Sequence, residues 1–384
     1  MNLGNNEKQH DVDLGFAWTS TTSGQRRSSS IEGVFWGTMI GEALASGRAK
    51  HNRQTQLTVY GRPPLRFSLI LGRGYPDRHF HFCLIATQAI LRSRSNSEAF
   101  LKEFLRRRNW YYVSHPIRSL WSLIARDKTR WYRQTELMSI GIQLSPILQG
   151  SGASASRWLQ LIAEKTNSQS ALPAAQILAK AAQIAILDQR VTSHRIAVWA
   201  ELESLSRDEN LSEMMRKLEP MLSQGSSVRM ATLLMGWGEK MPADPNAIAC
   251  LAIYAWLRHS HRFRFAVERS ISCTGATTTV GVLAGALAGI SLGLSKIPTD
   301  WVSGIQIAPY DREFLSKLNR RLTDWPHGVD DLHRAPAFPV YPTQQLVRNA
   351  GLCISKSVNA ILRAPYVIAS DLRVAKKGKR RHCG

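Results

Sequence analysis

An all-α architecture in a single domain is what this sequence predicts. Three observations carry the prediction: no block of period-two alternation stands out, apolar residues recur at helical spacing in several segments, and glycines recur every four residues near the start. The glycines come first in the chain. Residues 31–45 carry Gly33, Gly37 and Gly41 on one helix face, which lets a second backbone approach closely. Residues 51–67 contain Pro63-Pro64 and read as a loop. Residues 173–189 form a cleaner helical pattern, with Pro173 in the first turn and Ile177, Ala181, Ile184 and Leu187 along one stripe. A further periodic segment, 247–270, contains Ala255-Trp256-Leu257-Arg258. The small apolar stretch 280–294 falls short of the ~20 residues that a spanning helix needs, so it predicts a buried core helix and no membrane span.

Composition sets the outer bounds. With 384 residues, 44% of them apolar, and 11 Trp, the chain can bury a sizeable core. Residues 1–30 read as a flexible polar arm and 31–325 as the helical domain. Residues 326–370 read as a proline-rich segment with a short helix, and 371–384 as a basic disordered tail. The arm lacks an apolar run long enough for a signal-peptide core, so export by a standard signal is not expected. Five cysteines without paired spacing suggest neither a disulfide framework nor a zinc module, and a reducing cytoplasm is the expected setting. The net charge of +22 predicts affinity for polyanions, nucleic acid among them, without identifying one; nonspecific stickiness is the competing reading. Residues 101–133 interleave basic and aromatic side chains. That pattern suits single-stranded nucleic acid, but an amphipathic helix pair whose arginine stems cover apolar surface is the preferred reading.

One segment carries a more specific signal. Ser272-Cys273-Thr274-Gly275-Ala276-Thr277-Thr278-Thr279 runs into a Gly/Ala-rich stretch and then Ile297-Pro298 and Trp301. This resembles the metal-binding signature of the ADP-ribosylglycohydrolase family, in which Gly-Gly-Asp-Thr-Asp-Thr precedes such a helix. Gly275, Thr277 and Thr279 fit, while Ala276 and Thr278 occupy the two aspartate positions. The opening helix resembles the family's Gly-x-x-x-Gly-x-x-x-Gly-Asp-Ala-x-Gly, with Glu42 in the aspartate position and Ala45 in that of the last glycine. The family's Asp-Asp-Thr motif follows a Gly-Arg-Gly turn. Here Gly72-Arg73-Gly74 is kept, but Asp77-Arg78-His79 follows, so either Asp77 alone survives or no acid does, depending on a one-residue choice of register. Gln149-Gly150-Ser151-Gly152 stands where the family has its Gly-Asn-Gly turn near the ribose and phosphates.

The resemblance implies an ADP-ribosylglycohydrolase-like orthogonal helical bundle with most of its chemistry removed. Hard cations want oxygen ligands, chiefly carboxylates, and a methyl group at Ala276 offers no lone pair. Arg78, His79, Ala276 and Thr278 therefore fill family metal positions without supplying carboxylates, and no cofactor is expected. Residues implied at the ligand are Gly150, Ser151, Gly152, Gly275, Thr277 and Thr279. The expected function is a catalytically impaired homologue that binds ADP-ribose or an ADP-ribosylated partner. Two other readings stay open: an active hydrolase using Glu42 and Asp77 with magnesium or manganese, and a basic nucleic-acid-associated interaction protein. His79, His81 and Cys83 suggest a soft-metal site only if the backbone there is extended, since helical residues two apart diverge by about 200°.

Overall fold

Glycine spacing explains the central contact of the molecule. In a computed structural model, which describes residues 20–46, 48, 51, 53–68, 72–93, 96–113, 128–149, 154–187, 191, 193–238, 241–273, 275–325 and 342–382, every regular element is a helix. Only two isolated β-bridges accompany them among the described residues, Gly74 to Ile305 and Met241 to Gly275. Helices α1 (Ser20–Ala45), α2 (Arg53–Tyr60), α3 (Arg78–Ser93) and α4 (Ser97–Val113) come first. They are followed by α5 (Lys128–Leu148), α6 (Ala155–Thr166), α7 (Leu172–Leu187), α8 (Arg195–Leu205) and α9 (Glu209–Ser223). Next come α10 (Val228–Leu234), α11 (Pro245–Arg258), α12 (Phe263–Ile271) and α13 (Thr277–Leu292). The last are α14 (Thr299–Gly304), α15 (Arg312–Asp324) and α16 (Pro342–His382).

Helices α1 and α13 lie antiparallel, with Gly33 against Gly289, Gly37 against Gly285 and Gly41 against Gly281. A Cβ on any of the first three would overlap the carbonyl oxygen of its opposite number. The backbones touch because neither helix has a side chain there. Ser30 Oγ adds a hydrogen bond to the Ile290 carbonyl at 3.1 Å. A second close pair repeats the device with other small residues. Gly141 on α5 meets the Ala175 carbonyl of α7, and Ser145 Oγ donates to the Ala179 carbonyl at 2.8 Å. Helix α11 is buried from Pro245 to Leu257 and threads the core. Its polar tips find partners, Trp256 Nε1 on Ser291 Oγ at 2.8 Å and the Tyr254 hydroxyl on the Ser226 carbonyl at 2.9 Å. Starts of several helices are fixed by side-chain caps: Asp208, Ser227, Asp244 and Asp311 each accept from the N–H three residues on.

Several sequence expectations are redrawn. Helix α1 begins at Ser20, inside the stretch read as an arm, because Arg27 donates to the carbonyls of Ile147 and Trp325 at 2.6 Å each and Asn319 Nδ2 to Ser28 Oγ at 3.0 Å. The loop expected over 51–67 contains α2, and the periodic segment 247–270 breaks at 259–262 into α11 and α12. Of the basic and aromatic stretch, the described part supports the amphipathic reading: Phe104 and Tyr111 are buried, while Arg106 and Arg107 pair with Glu103 on the same helix. Among the described residues one segment, Gln169–Leu187, is long and apolar enough to cross a membrane, yet 61% of its apolar window is buried inside the fold. The stretch 280–294 forms α13 in the core.

The largest departure is α16, expected as a short helix and a disordered tail. It is one helix of 41 residues that reaches back over the domain. Its docked side buries Leu352 among polar contacts. Arg348 donates to the Pro76 carbonyl, Lys356 Nζ lies 2.6 Å from Asp77 Oδ2, Arg363 donates to the Ser68 carbonyl at 2.8 Å, and Ser370 meets Thr55 at 3.2 Å. Val347, Ile354, Ile361 and Ile368, seven residues apart, are exposed on the opposite side.

Candidate functional site

The close approach of Gly41 to Gly281 places the last turn of α1 beside the first turn of α13, and Glu42 is the side chain at that junction. Glu42 is 4% exposed. Its carboxylate accepts three backbone N–H groups, from Asp77 at 2.8 Å, His79 at 2.9 Å and Phe80 at 3.2 Å. These are the unpaired donors at the start of α3, so Glu42 caps that helix from another element and adds charge complementary to its dipole. Burial, and then the nearby charge of Asp77, push its pKa up, against the three amides that favour the ionised form. Glu42→Gln keeps the shape but replaces a charge-assisted acceptor. A loss of roughly 2–4 kcal/mol in denaturant unfolding is expected, with Glu42→Asp intermediate.

Asp77 stands immediately before α3 with its side chain 15% exposed. Its Oδ2 is held by Lys356, an ammonium brought from 279 residues away on α16. A cation already sits on this carboxylate. Arg78 turns aside toward α5, where Nη2 donates to Thr135 Oγ1 at 3.0 Å and Nε lies 3.5 Å from Glu136. Glu136 also faces Arg108 at 3.8 Å and is 3% exposed. No sequence motif singles out this acid. The signal available is its place within a helix whose following positions 137–148 are all buried.

His79, His81 and Cys83 lie on helical backbone and diverge. His79 Nδ1 shares a hydrogen bond with Ser139 Oγ at 2.7 Å, whereas His81 Nδ1 donates to the Asp77 carbonyl at 2.6 Å and its ring packs near Tyr111 and Tyr310. The Cys83 thiol is fully buried and its pKa pushed up by that burial, which leaves it an unreactive core residue. The same burial pushes Cys273 up to about 12.

The loop before α13 is built around Gly275. Its φ of +91° and its bridge to Met241, whose backbone N would sit 2.6 Å from an added Cβ, admit only glycine. Ala276 is 8% exposed and precedes the helix; Thr279 is buried and Thr278 half-buried. Upstream, Gly74 is pinned by mutual backbone hydrogen bonds to Gly304 and Gln306 at 3.0 and 2.8 Å. Gly150, Ser151 and Gly152, and the Thr277 side chain, lie outside the described residues.

Glu42, Asp77 and the loop carrying Gly275, Ala276 and Thr279 thus share one end of the α1–α13 pair. A sequence profile described as ADP-ribosylglycohydrolase matches residues 23–330, most of the chain. The chain belongs to the ADP-ribosylglycohydrolase family. A search of curated proteins finds no match. Among solved structures, one described as an ADP-ribosylglycohydrolase-related protein complex aligns over 81% of this chain and 99% of its own, at 18% identity and a TM-score of 0.48.

Members of the ADP-ribosylglycohydrolase family are typically metal-dependent. The donor set here does not fit a pair of hard cations. Ala276 has no donor atom, Thr278 offers a neutral hydroxyl, Asp77 is neutralised by Lys356, and Glu42 is occupied by amides. Among the described residues no three His, Cys, Asp or Glu side chains are grouped so as to hold a metal ion. Lys356→Met should raise amide exchange over residues 345–370 several-fold while leaving α11 and α13 protected, since a partly exposed pair contributes only about 1 kcal/mol.

Proposed function

We propose that this ADP-ribosylglycohydrolase homologue is impaired in hydrolysis and acts as a binder of ADP-ribose or of an ADP-ribosylated partner. The observation that carries the reading is the state of its two remaining acids at the family site. Glu42 is buried and accepts three backbone amides, and Asp77 is paired through Oδ2 with an internal ammonium. A general base needs an accessible, unengaged lone pair near the water it activates, and a cation site needs uncompensated negative charge. Neither carboxylate offers this in the arrangement described. Gly275 and Thr279, with Gly150, Ser151, Gly152 and Thr277, remain the residues proposed at the ligand, through backbone N–H groups suited to phosphate. A cytoplasmic setting is part of the same proposal and accords with free thiols at Cys83, Cys250, Cys273 and Cys353.

Calorimetric titration with ADP-ribose, with and without magnesium or manganese, tests this beside release of ADP-ribose from modified arginine or serine peptides. Metal-independent binding without turnover is the expected result. Metal-dependent turnover abolished by Asp77→Asn would establish an active hydrolase instead, with Asp77 and Glu42 in catalytic roles.

A further inference from the structure

Beside α2, and lined by neither Glu42 nor Asp77, the structure contains a cavity of about 590 Å³ where arginines from five parts of the chain converge. Arg48 follows α1, Arg53 opens α2, Arg229 lies in α10, Arg258 ends α11, Arg262 precedes α12 and Arg269 lies near the end of α12. No Asp or Glu shares the lining. None of the six forms an ion pair among the described residues; those that are hydrogen-bonded use neutral carbonyls, Arg48 those of Tyr60 and Arg66, Arg258 those of Gly225 and Ser226. Glu268, whose charge reaches Arg48 and Arg269, is itself engaged by the Leu65 N–H at 2.7 Å and by Arg264 at 3.9 Å.

From this geometry we propose that the cavity is a binding site for a compact anion carrying two or more phosphates, a pyrophosphate or nucleoside diphosphate. Guanidinium groups match phosphate oxygens in pairs, and the volume falls in the range of small-ligand sites, ~300–1,000 Å³. Aromatic contacts orient the donors in advance. Arg262 and Arg269 lie 5.4 and 5.8 Å from the centre of the Phe265 ring, which also stacks with His259 at 5.9 Å. The wall is deep and the rim free: Arg48 is 3% exposed, whereas Arg229, Arg262 and Arg269 are exposed. Burial first, and then the charges of Arg258, Arg269, His261 and Arg262, push His259 down to about 4. Convergence in one concavity, instead of a stripe along the surface, selects a small polyanion over an extended nucleic-acid backbone. The six arginines lie outside the motif residues quoted above, although Ser272, which shares the lining, opens the Gly275 segment, and the site stands whether or not ADP-ribose binds at the α1–α13 end.

The test uses the full chain and calorimetric titration with inorganic pyrophosphate, ADP and sulfate at about 0.15 M salt. Pyrophosphate and ADP should bind at least about 30-fold more tightly than sulfate, and the double variant Arg229→Glu, Arg269→Glu should lose that binding by a similar factor. Both positions are on the rim, so an unchanged circular-dichroism melt verifies the fold; Arg229→Gln, Arg269→Gln serves if it does not. Equal binding of sulfate and pyrophosphate, full binding by the variant, or a single-stranded oligonucleotide binding more tightly with length would each overturn the proposal. ADP-ribose also carries a pyrophosphate, so loss of ADP-ribose binding in the double variant would assign that binding to this cavity, while its retention would assign it to the family site.

Discussion

Gly37→Leu abolishes folding, and Gly37→Ala lowers stability by at least about 3 kcal/mol, when unfolding is followed in denaturant by circular dichroism. A single methyl at position 37 would overlap the Gly285 carbonyl, so α1 and α13 must separate along their whole contact. Because a domain of this kind has ~5–15 kcal/mol of total stability, one methyl there removes a large share of it. The effect is specific to the facing set. Gly24, with open space around its Cβ position, should accept alanine with a gain of a few tenths to ~1 kcal/mol, since alanine is the better helix former. Equal tolerance at 24 and 37 would contradict the close packing described.

The second large effect is a gain. Restoring Ala276→Asp and Thr278→Asp and removing the competing ammonium with Lys356→Met should create divalent-ion affinity, read as a manganese titration. An increase of at least about 100-fold over the unmodified chain is expected, because hard-cation affinity rises with the number of carboxylate ligands. The two aspartates without Lys356→Met should give a smaller gain, as Asp77 would stay neutralised. Tight manganese binding by the unmodified chain would sink the proposed impairment, and failure of the triple variant would mean that backbone geometry at Gly275, in addition to ligand identity, has diverged.

Much of the scaffold was legible because it is written in local spacing. Gly33, Gly37 and Gly41 announce a helix face that admits a neighbour, and the altered loop at Gly275 to Thr279 announces the family. What stayed hidden depends on contacts distant in sequence. Nothing near Asp77 foretells Lys356, and nothing near Glu42 foretells that its oxygens turn to the start of α3. Helix α16 misleads in a different way: periodicity marks its apolar stripe, yet the stripe faces outward and the arginines and lysine do the docking. The arginine-lined cavity is likewise invisible, since its residues are scattered from Arg48 to Arg269 and form no run.

The pairing of α1 with α13 also constrains how the protein is made. Gly41 meets Gly281, so about 240 residues must leave the ribosome before the first helix finds its main partner. At ~5–20 residues per second that interval is roughly 10–50 s. During it α1 is a glycine-weakened helix carrying Ile31, Val34, Phe35, Trp36, Met39 and Ile40 with no α13 to cover them. A nascent chain in this condition is a natural client for a holding chaperone, and stalling translation before residue 281 should leave the α1 segment open to protease while stalling beyond residue 325 should protect it.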